Sequence, residues 1–187
     1  MLKHEIRKLY LQRRLEKKEE ERLVLDFKIH SQFDRFLPPQ IKTLHVYLPI
    51  ESKGEIDTWP IIHRLWVKNI QVVVPVMDIK KNLLKTYLLE RETQIRFNDW
   101  GIPEPAQGLE IDNELVEAVV VPLLAFDIKG YRVGYGKGFY DTFLSSLNKN
   151  VLKIGLSYFP PVDKISNPDP WDIPLNACIT PDSIIKF

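Results

Sequence analysis

The sequence predicts an α/β fold with a largely parallel central sheet and helices on both faces. Short apolar runs rich in β-branched residues have the length and composition of buried strands: Thr43 to Leu48 (TLHVYL), Gln71 to Val76 (QVVVPV), Val119 to Phe126 and Val151 to Tyr158. Segments of helical periodicity lie between several of them, and alternation of the two patterns implies βαβ units. A glycine-rich loop follows one of the runs directly, and ligands of such sheets bind beyond the carboxyl ends of the strands.

Residues 2 to about 35 read as helical, a segment expected to pack on the α/β core of a single domain spanning 1–187. Ile6, Leu9 and Tyr10 recur at helical spacing, and Leu23 and Phe27 resume an apolar stripe farther on. Between them, Glu16 to Arg22 (EKKEEER) is a run of charges that reads as a solvated face or a helix junction. The first strand ends at Pro49 and Ser52-Lys53-Gly54, and Ile56 to Val67 follows as a helix. Glu55 and Asp57 stand at its start, where acidic residues complement the macrodipole. Leu83 to Leu89 forms another strand. Asn98 to Pro105 (NDWGIPEP) is expected to be an ordered loop, because two prolines and a glycine disfavour regular structure. Lys137 to Leu147 reads as a helix with Phe139, Phe143, Leu144 and Leu147 on one face. Phe159 to Ile173, carrying Pro160, Pro161, Pro168 and Pro170, is irregular, and Ala177 to Thr180 and Ser183 to Phe187 close the chain as strands.

Composition narrows the function classes. A net charge of +1 offers no electrostatic case for nucleic acid or an anionic membrane surface. The single cysteine, Cys178, excludes an internal disulfide framework and suits a reducing compartment. The charged N-terminus lacks the apolar core of a signal peptide, and no apolar run is long enough to span a membrane, so a cytoplasmic protein is expected; a monomer is expected as well. His4, His30, His45 and His63 lack zinc-ligand spacing, and no GxSxG nucleophile turn exists.

Gly130, Gly134, Gly136 and Gly138, four of the eight glycines, fall in the loop that follows the Val119–Phe126 run. Glycine admits positive φ and lets backbone N–H groups approach a ligand. Such groups can form an anion nest, reinforced by a helix N-terminus just beyond. Arg132 supplies a bidentate fork and Lys137 a point charge. Asp141 offers oxygen to a hard cation such as Mg2+. The spacing is neither a Walker A sequence nor GxGxxG. A nucleotide's phosphates with their metal, or a plain glycine-rich turn with inward aromatics, both remain open on these residues alone.

The string FDIKGYRVGYGKGFYD (126–141) resembles the signature of the 5-formyltetrahydrofolate cyclo-ligase family, and other segments extend the likeness over most of the chain. The resemblance implies a three-layer α/β/α fold and a ligase that uses ATP and Mg2+ to convert 5-formyltetrahydrofolate to 5,10-methenyltetrahydrofolate. It implies an ATP site of Lys3, Arg7, Arg132, Gly134, Tyr135, Gly136, Lys137, Gly138, Phe139 and Tyr140. Lys3 and Arg7, four apart and so on one helix face, read otherwise as two solvated cations. It implies that Arg7, Leu48, Glu55, Trp100, Tyr135 and Phe139 bind the folate, with Lys137, Arg132 and Glu55 catalytic. YLPIESKGEIDT and WGIPEP are similar to the family's folate-contacting segments; on their own residues, Glu55 reads as a helix cap and Trp100 as packing. Asp141 would hold the metal together with Asn176, which stands where the family commonly has Asp; Asp172 is the substitute candidate. Two other functions fit a phosphate-binding loop on this fold: a sugar-phosphate isomerase, or a nucleotide- or folate-binding protein without turnover.

Overall fold

The computed structural model describes residues 1–187. In chain order the elements are α1 (Lys3–Leu15), α2 (Glu19–Phe36), β1 (Thr43–His45), α3 (Trp59–Val67), β2 (Gln71–Asp78), β3 (Leu83–Leu88), β4 (Ile95–Phe97), β5 (Pro103–Pro105), β6 (Ala118–Val121), β7 (Ala125–Phe126), β8 (Arg132–Val133), α4 (Phe139–Ser146), β9 (Leu152–Leu156), β10 (Ala177–Ile179) and β11 (Ile184–Lys186). Single 3-10 turns cover Glu51–Lys53 and Asn113–Leu115.

Seven strands form the main sheet in the order β11-β10-β9-β6-β1-β2-β3. The five inner strands are parallel, and β3 and β11 add antiparallel edges. This is the α/β/α arrangement the alternating pattern predicts. The inner strands are buried on both faces, which is why they read as continuous apolar runs. Leu44, Val46, Val72, Val74, Val120 and Ile154 pack with Ile29 and Phe33 of α2 and Ile61, Ile62 and Leu65 of α3. Val73, Val119, Val121 and Cys178 face the other way, against Phe139, Phe143 and Leu144 of α4. The chain leaves β1 toward β2 on one side, and β6 returns on the other. That reversal opens a crevice beyond the carboxyl ends of β1 and β6. Helix α1 lies there, with Ile6 and Tyr10 packed on Leu124, Ala125 and Val133 around the β7–β8 hairpin.

Local expectations shift in four places. The predicted helical segment breaks at residues 16–18, inside the charged run, giving two helices. In α2 the stripe of Leu23 and Phe27 faces outward, at 62% and 73% exposure. The buried face instead carries Asp26 and His30 beside Ile29 and Phe33, because the Tyr158 hydroxyl donates to Asp26 at 2.7 Å and His30 meets the Asp57 carbonyl at 2.6 Å. Helix α3 starts at Trp59 rather than Ile56. The Asp57 carboxylate accepts the Trp59 N–H (3.0 Å), and Pro60 takes a first-turn position where no N–H is needed. Finally, the proline-rich loop contains a short strand, β5, paired antiparallel with β4. Proline is tolerated in such an isolated two-stranded ribbon because one side of each strand has no ladder to maintain. No helix is long and apolar enough to cross a membrane.

Candidate active site

A cleft of about 620 Å³ opens at the crevice above β1 and β6. Its size lies in the usual range for small-molecule sites. Every residue named above for ATP, folate or metal lines it except Asn176.

The glycine loop forms one wall. Gly136 and Gly138 sit at φ +86° and +76°, the left-handed region that only glycine adopts without strain, and Gly138 caps α4. A Cβ at Gly136 would come within 2.9 Å of the Arg7 guanidinium, so the missing side chain is what admits Arg7. Arg7 Nε donates to the Gly134 carbonyl at 2.9 Å, which locks helix α1 to the loop. Lys137 is exposed at the tip, its ammonium 5.5 Å from the Trp100 ring centroid. Trp100 in turn meets Phe139 edge-on, the centroids 6.0 Å apart. Asn98 fixes the Trp100 loop by accepting the N–H groups of Trp100 (3.0 Å) and Ile102 (3.1 Å).

Two predicted cations are already paired. Arg132 is buried, and its two terminal nitrogens donate to Asp141 Oδ1 (2.8 Å) and the Ile173 carbonyl (2.5 Å). The guanidinium therefore orients Asp141 and is not a free fork facing the cleft. Lys3 Nζ lies 2.5 Å from Asp172 and 2.6 Å from Asp169. Burial opposes its charge, but the hydrogen bonds to these carboxylates prevail and raise its pKa. Arg7 and Lys137 are in no ion pair.

Glu55, which also lines the cleft, is held at both oxygens. The Ile50 N–H donates to Oε2 (2.8 Å) and the Tyr135 hydroxyl to Oε1 (2.7 Å). Burial pushes the Glu55 carboxyl upward, while these two hydrogen bonds and the nearby Arg14 and Lys53 draw it back. Leu48, Tyr47 and Ile50 supply apolar surface beside it. The Tyr140 hydroxyl is enclosed with no hydrogen-bond partner, under the same cleft. Below it, His45 is a core histidine, in contact with Tyr140 and Phe143 and pushed down to about 3 by burial.

Carboxylates for a metal also differ from expectation. No group of three His, Cys, Asp or Glu side chains could hold an ion unaided. Asp141 and Asp172 both line the cleft, and the Ile173 N–H, next in chain to Asp172, donates to Asp141 Oδ1 at 3.2 Å. Two oxygen donors beside the glycine loop fit Mg2+, which keeps several waters and takes few protein carboxylates. Asn176 does not belong to this set. It is exposed at the amino end of β10, and its side-chain oxygen accepts the Lys153 N–H (2.8 Å), whereas the cleft lies at the carboxyl ends.

Arg14 was not foreseen. It is 5% exposed, and its guanidinium donates to the Tyr135 hydroxyl (3.1 Å) and the Leu123 carbonyl. The signal was present in spacing: Lys3, Arg7 and Arg14 at i, i+4 and i+11 share one helical face.

Comparisons with known proteins agree on one family. A family model described as the 5-formyltetrahydrofolate cyclo-ligase family matches residues 1–181. The chain is 31% identical over 180 residues to a 5-formyltetrahydrofolate cyclo-ligase of Mycoplasma genitalium, covering 95% of this chain and 96% of that one. It is 35% identical over 144 residues to the Haemophilus influenzae cyclo-ligase, covering 73% of this chain and 74% of that one. Among solved structures, the Aquifex aeolicus 5,10-methenyltetrahydrofolate synthetase superposes with a TM-score of 0.83 at 34% identity, covering 100% of this chain and 93% of the other.

Proposed function

The chain belongs to the 5-formyltetrahydrofolate cyclo-ligase family, and on that premise we propose that its cleft binds ATP at the glycine loop and 5-formyltetrahydrofolate between Glu55 and Trp100. The family activity, closure of 5-formyltetrahydrofolate to 5,10-methenyltetrahydrofolate, is a ligase reaction. In the mechanism we infer, the formyl oxygen attacks the γ-phosphorus of ATP and the bond to ADP breaks. N10 then attacks the formyl carbon, loses its proton, and the former formyl oxygen departs as phosphate.

Phosphoryl transfer asks a protein for positioning and charge neutralisation more than covalent help. Lys137 and Arg7, free of carboxylate partners, neutralise phosphate charge from two sides of the loop. Lys3 joins them as phosphate competes with Asp169 and Asp172. Asp141, held by Arg132, and Asp172 would hold Mg2+, which when bound neutralises charge on the phosphate oxygens. Glu55 accepts from the folate's nitrogen region, Leu48 supports the pterin, and Trp100 with Phe139 forms an aromatic wall between the ligands.

One observation carries the reading. Lys137 on a positive-φ glycine loop, Arg7 of α1 against that loop, both outside any ion pair, and a doubly anchored carboxylate, Glu55, line a single cleft. A near-ultraviolet assay with 5-formyltetrahydrofolate, ATP and Mg2+, omitting each in turn, tests it. Ring closure creates a conjugated amidinium chromophore, so its band should grow only with all three present. Growth without ATP, or none with all three, would sink the reading.

A further inference from the structure

Arg14 and the Glu55 carboxylate are linked by one phenol. Arg14 Nη1 donates to the Tyr135 hydroxyl oxygen at 3.1 Å, and that hydroxyl stands 2.7 Å from Glu55 Oε1. A guanidinium carries donors only, so the lone pair it engages leaves the Tyr135 proton to point at Glu55. The direction of the chain is therefore fixed as Arg14 to Tyr135 to Glu55. Arg14 Nη2 also donates to the Leu123 carbonyl, on the connection between β6 and β7, which anchors the guanidinium to the sheet. A buried cation is costly without an anion nearby, and no carboxylate pairs with Arg14 directly. Its nearest compensation is Glu55, reached through the phenol.

We propose that Arg14 is a positioning residue for the cyclo-ligase reaction, fixing through the Tyr135 hydroxyl the acceptor geometry that Glu55 presents to the folate. The proposal rests on Glu55 facing the substrate. With one bond from Tyr135 on Oε1 and one from the Ile50 N–H on Oε2, each oxygen of this cleft-lining carboxylate keeps acceptor capacity, and a neutral Glu55 would present a donor in place of part of it. The groups facing Glu55 are Arg14 from α1, Lys53 from its own turn, Tyr47 beyond β1, Tyr135 from the glycine loop and Tyr140 from α4. Of these, only Arg14 and Lys53 are cations. Lys53 is exposed to solvent, so Arg14 is the cation that water does not screen.

The test is steady-state kinetics of Arg14→Met, Arg14→Lys, Tyr135→Phe, Glu55→Gln and the Arg14→Met/Tyr135→Phe double variant. Arg14→Met should raise KM for 5-formyltetrahydrofolate about tenfold and leave that for ATP within about twofold. Loss of the cation disfavours ionised Glu55, so the acid limb of kcat/KM should move to higher pH. In the Tyr135→Phe background the same substitution should add less than about twofold, because the link is already cut. If Arg14→Met does not fold, Arg14→Lys, which keeps the charge but not both hydrogen bonds, should still raise the folate KM. A purely structural arginine would lower Tm and leave the acid limb in place, which overturns the proposal. So does an additive double variant. An unimpaired Glu55→Gln enzyme instead overturns the substrate-facing role of Glu55, and the proposal with it. An impaired Glu55→Gln beside an Arg14→Met enzyme with parental KM and limb overturns the relay alone.

Discussion

Arg132 and Asp141 form an ion pair of 2.8 Å in which the arginine side chain is 5% exposed and the carboxylate 24% exposed toward the cleft. Hydrogen bonds to Asp141 fall on Oδ1, from Arg132 and from the Ile173 N–H. The carboxylate is thus held by one oxygen and offers the other. Asp141→Asn should lose about 1–3 kcal/mol of stability, because it leaves a buried guanidinium without its counter-charge. It should also raise the Mg2+ concentration needed for half-maximal rate. Asn176→Asp should leave that concentration unchanged, since position 176 lies outside the cleft. Titrating Mg2+ against initial rate, beside thermal melts, checks both variants; a tighter Mg2+ requirement in Asn176→Asp would count against the placement.

Lys137 is exposed at the loop tip with only an aromatic neighbour, so its charge is available to a ligand and unimportant to the fold. Lys137→Ala should lower kcat/KM by about 10²–10³, the usual effect of removing one preorganised electrostatic group, with Tm nearly unchanged. Near-parental turnover would refute this role.

Gly136 combines positive φ with a guanidinium where its side chain would go, whereas Gly101, at φ +69°, has open space around it. Gly101→Ala should therefore cost about 1–2 kcal/mol of backbone strain alone. Gly136→Ala should cost the same strain and displace Arg7 besides, raising KM for ATP. Paired melts and ATP kinetics separate the two; equal ATP affinity in both variants would argue against Arg7 as a phosphate ligand.

Asp26 is pushed up to about 6, chiefly by burial, with the Tyr158 hydroxyl and Asp57 N–H opposing. A carboxyl with a raised native pKa keeps its proton where the unfolded chain has released it, between about pH 4 and 6. The native state then binds more protons, so this group's contribution falls as pH rises through that window, by up to about 3 kcal/mol. Asp26→Asn removes the slope. Chemical denaturation at pH 4 and 7 should show the variant gaining on the parent at the higher pH, and a constant difference would rule out the ionisation.

Much of the site is contiguous in sequence and was legible there. Gly134 to Asp141 is one short stretch whose glycines dictate a tight turn and whose helix must follow, so loop geometry and residue order carry the same information. Glu55 and Trp100 read locally as a helix cap and a packing residue, and only the likeness to a family suggested otherwise. Local signals misled where a partner came from far along the chain. Arg132 reads as a free phosphate fork, yet the Ile173 carbonyl, from the far proline-rich segment, accepts one of its N–H groups and Asp141 another. Leu23 and Phe27 continue a helical stripe, yet α2 turns Asp26 and His30 inward because Tyr158 and the Asp57 carbonyl satisfy them.

By itself the sequence determined the α/β class, the doubly buried strands and the glycine loop, because strand and helix periodicity and backbone freedom are local properties. Only the tertiary structure decided which charges are free. Lys3 meets Asp172 across 169 residues of chain, and Arg14 reaches Tyr135 across 121, pairings set by α1 crossing the open end of the sheet. Whether a cation serves a ligand or a neighbour depends on those distances, and no window of sequence contains them.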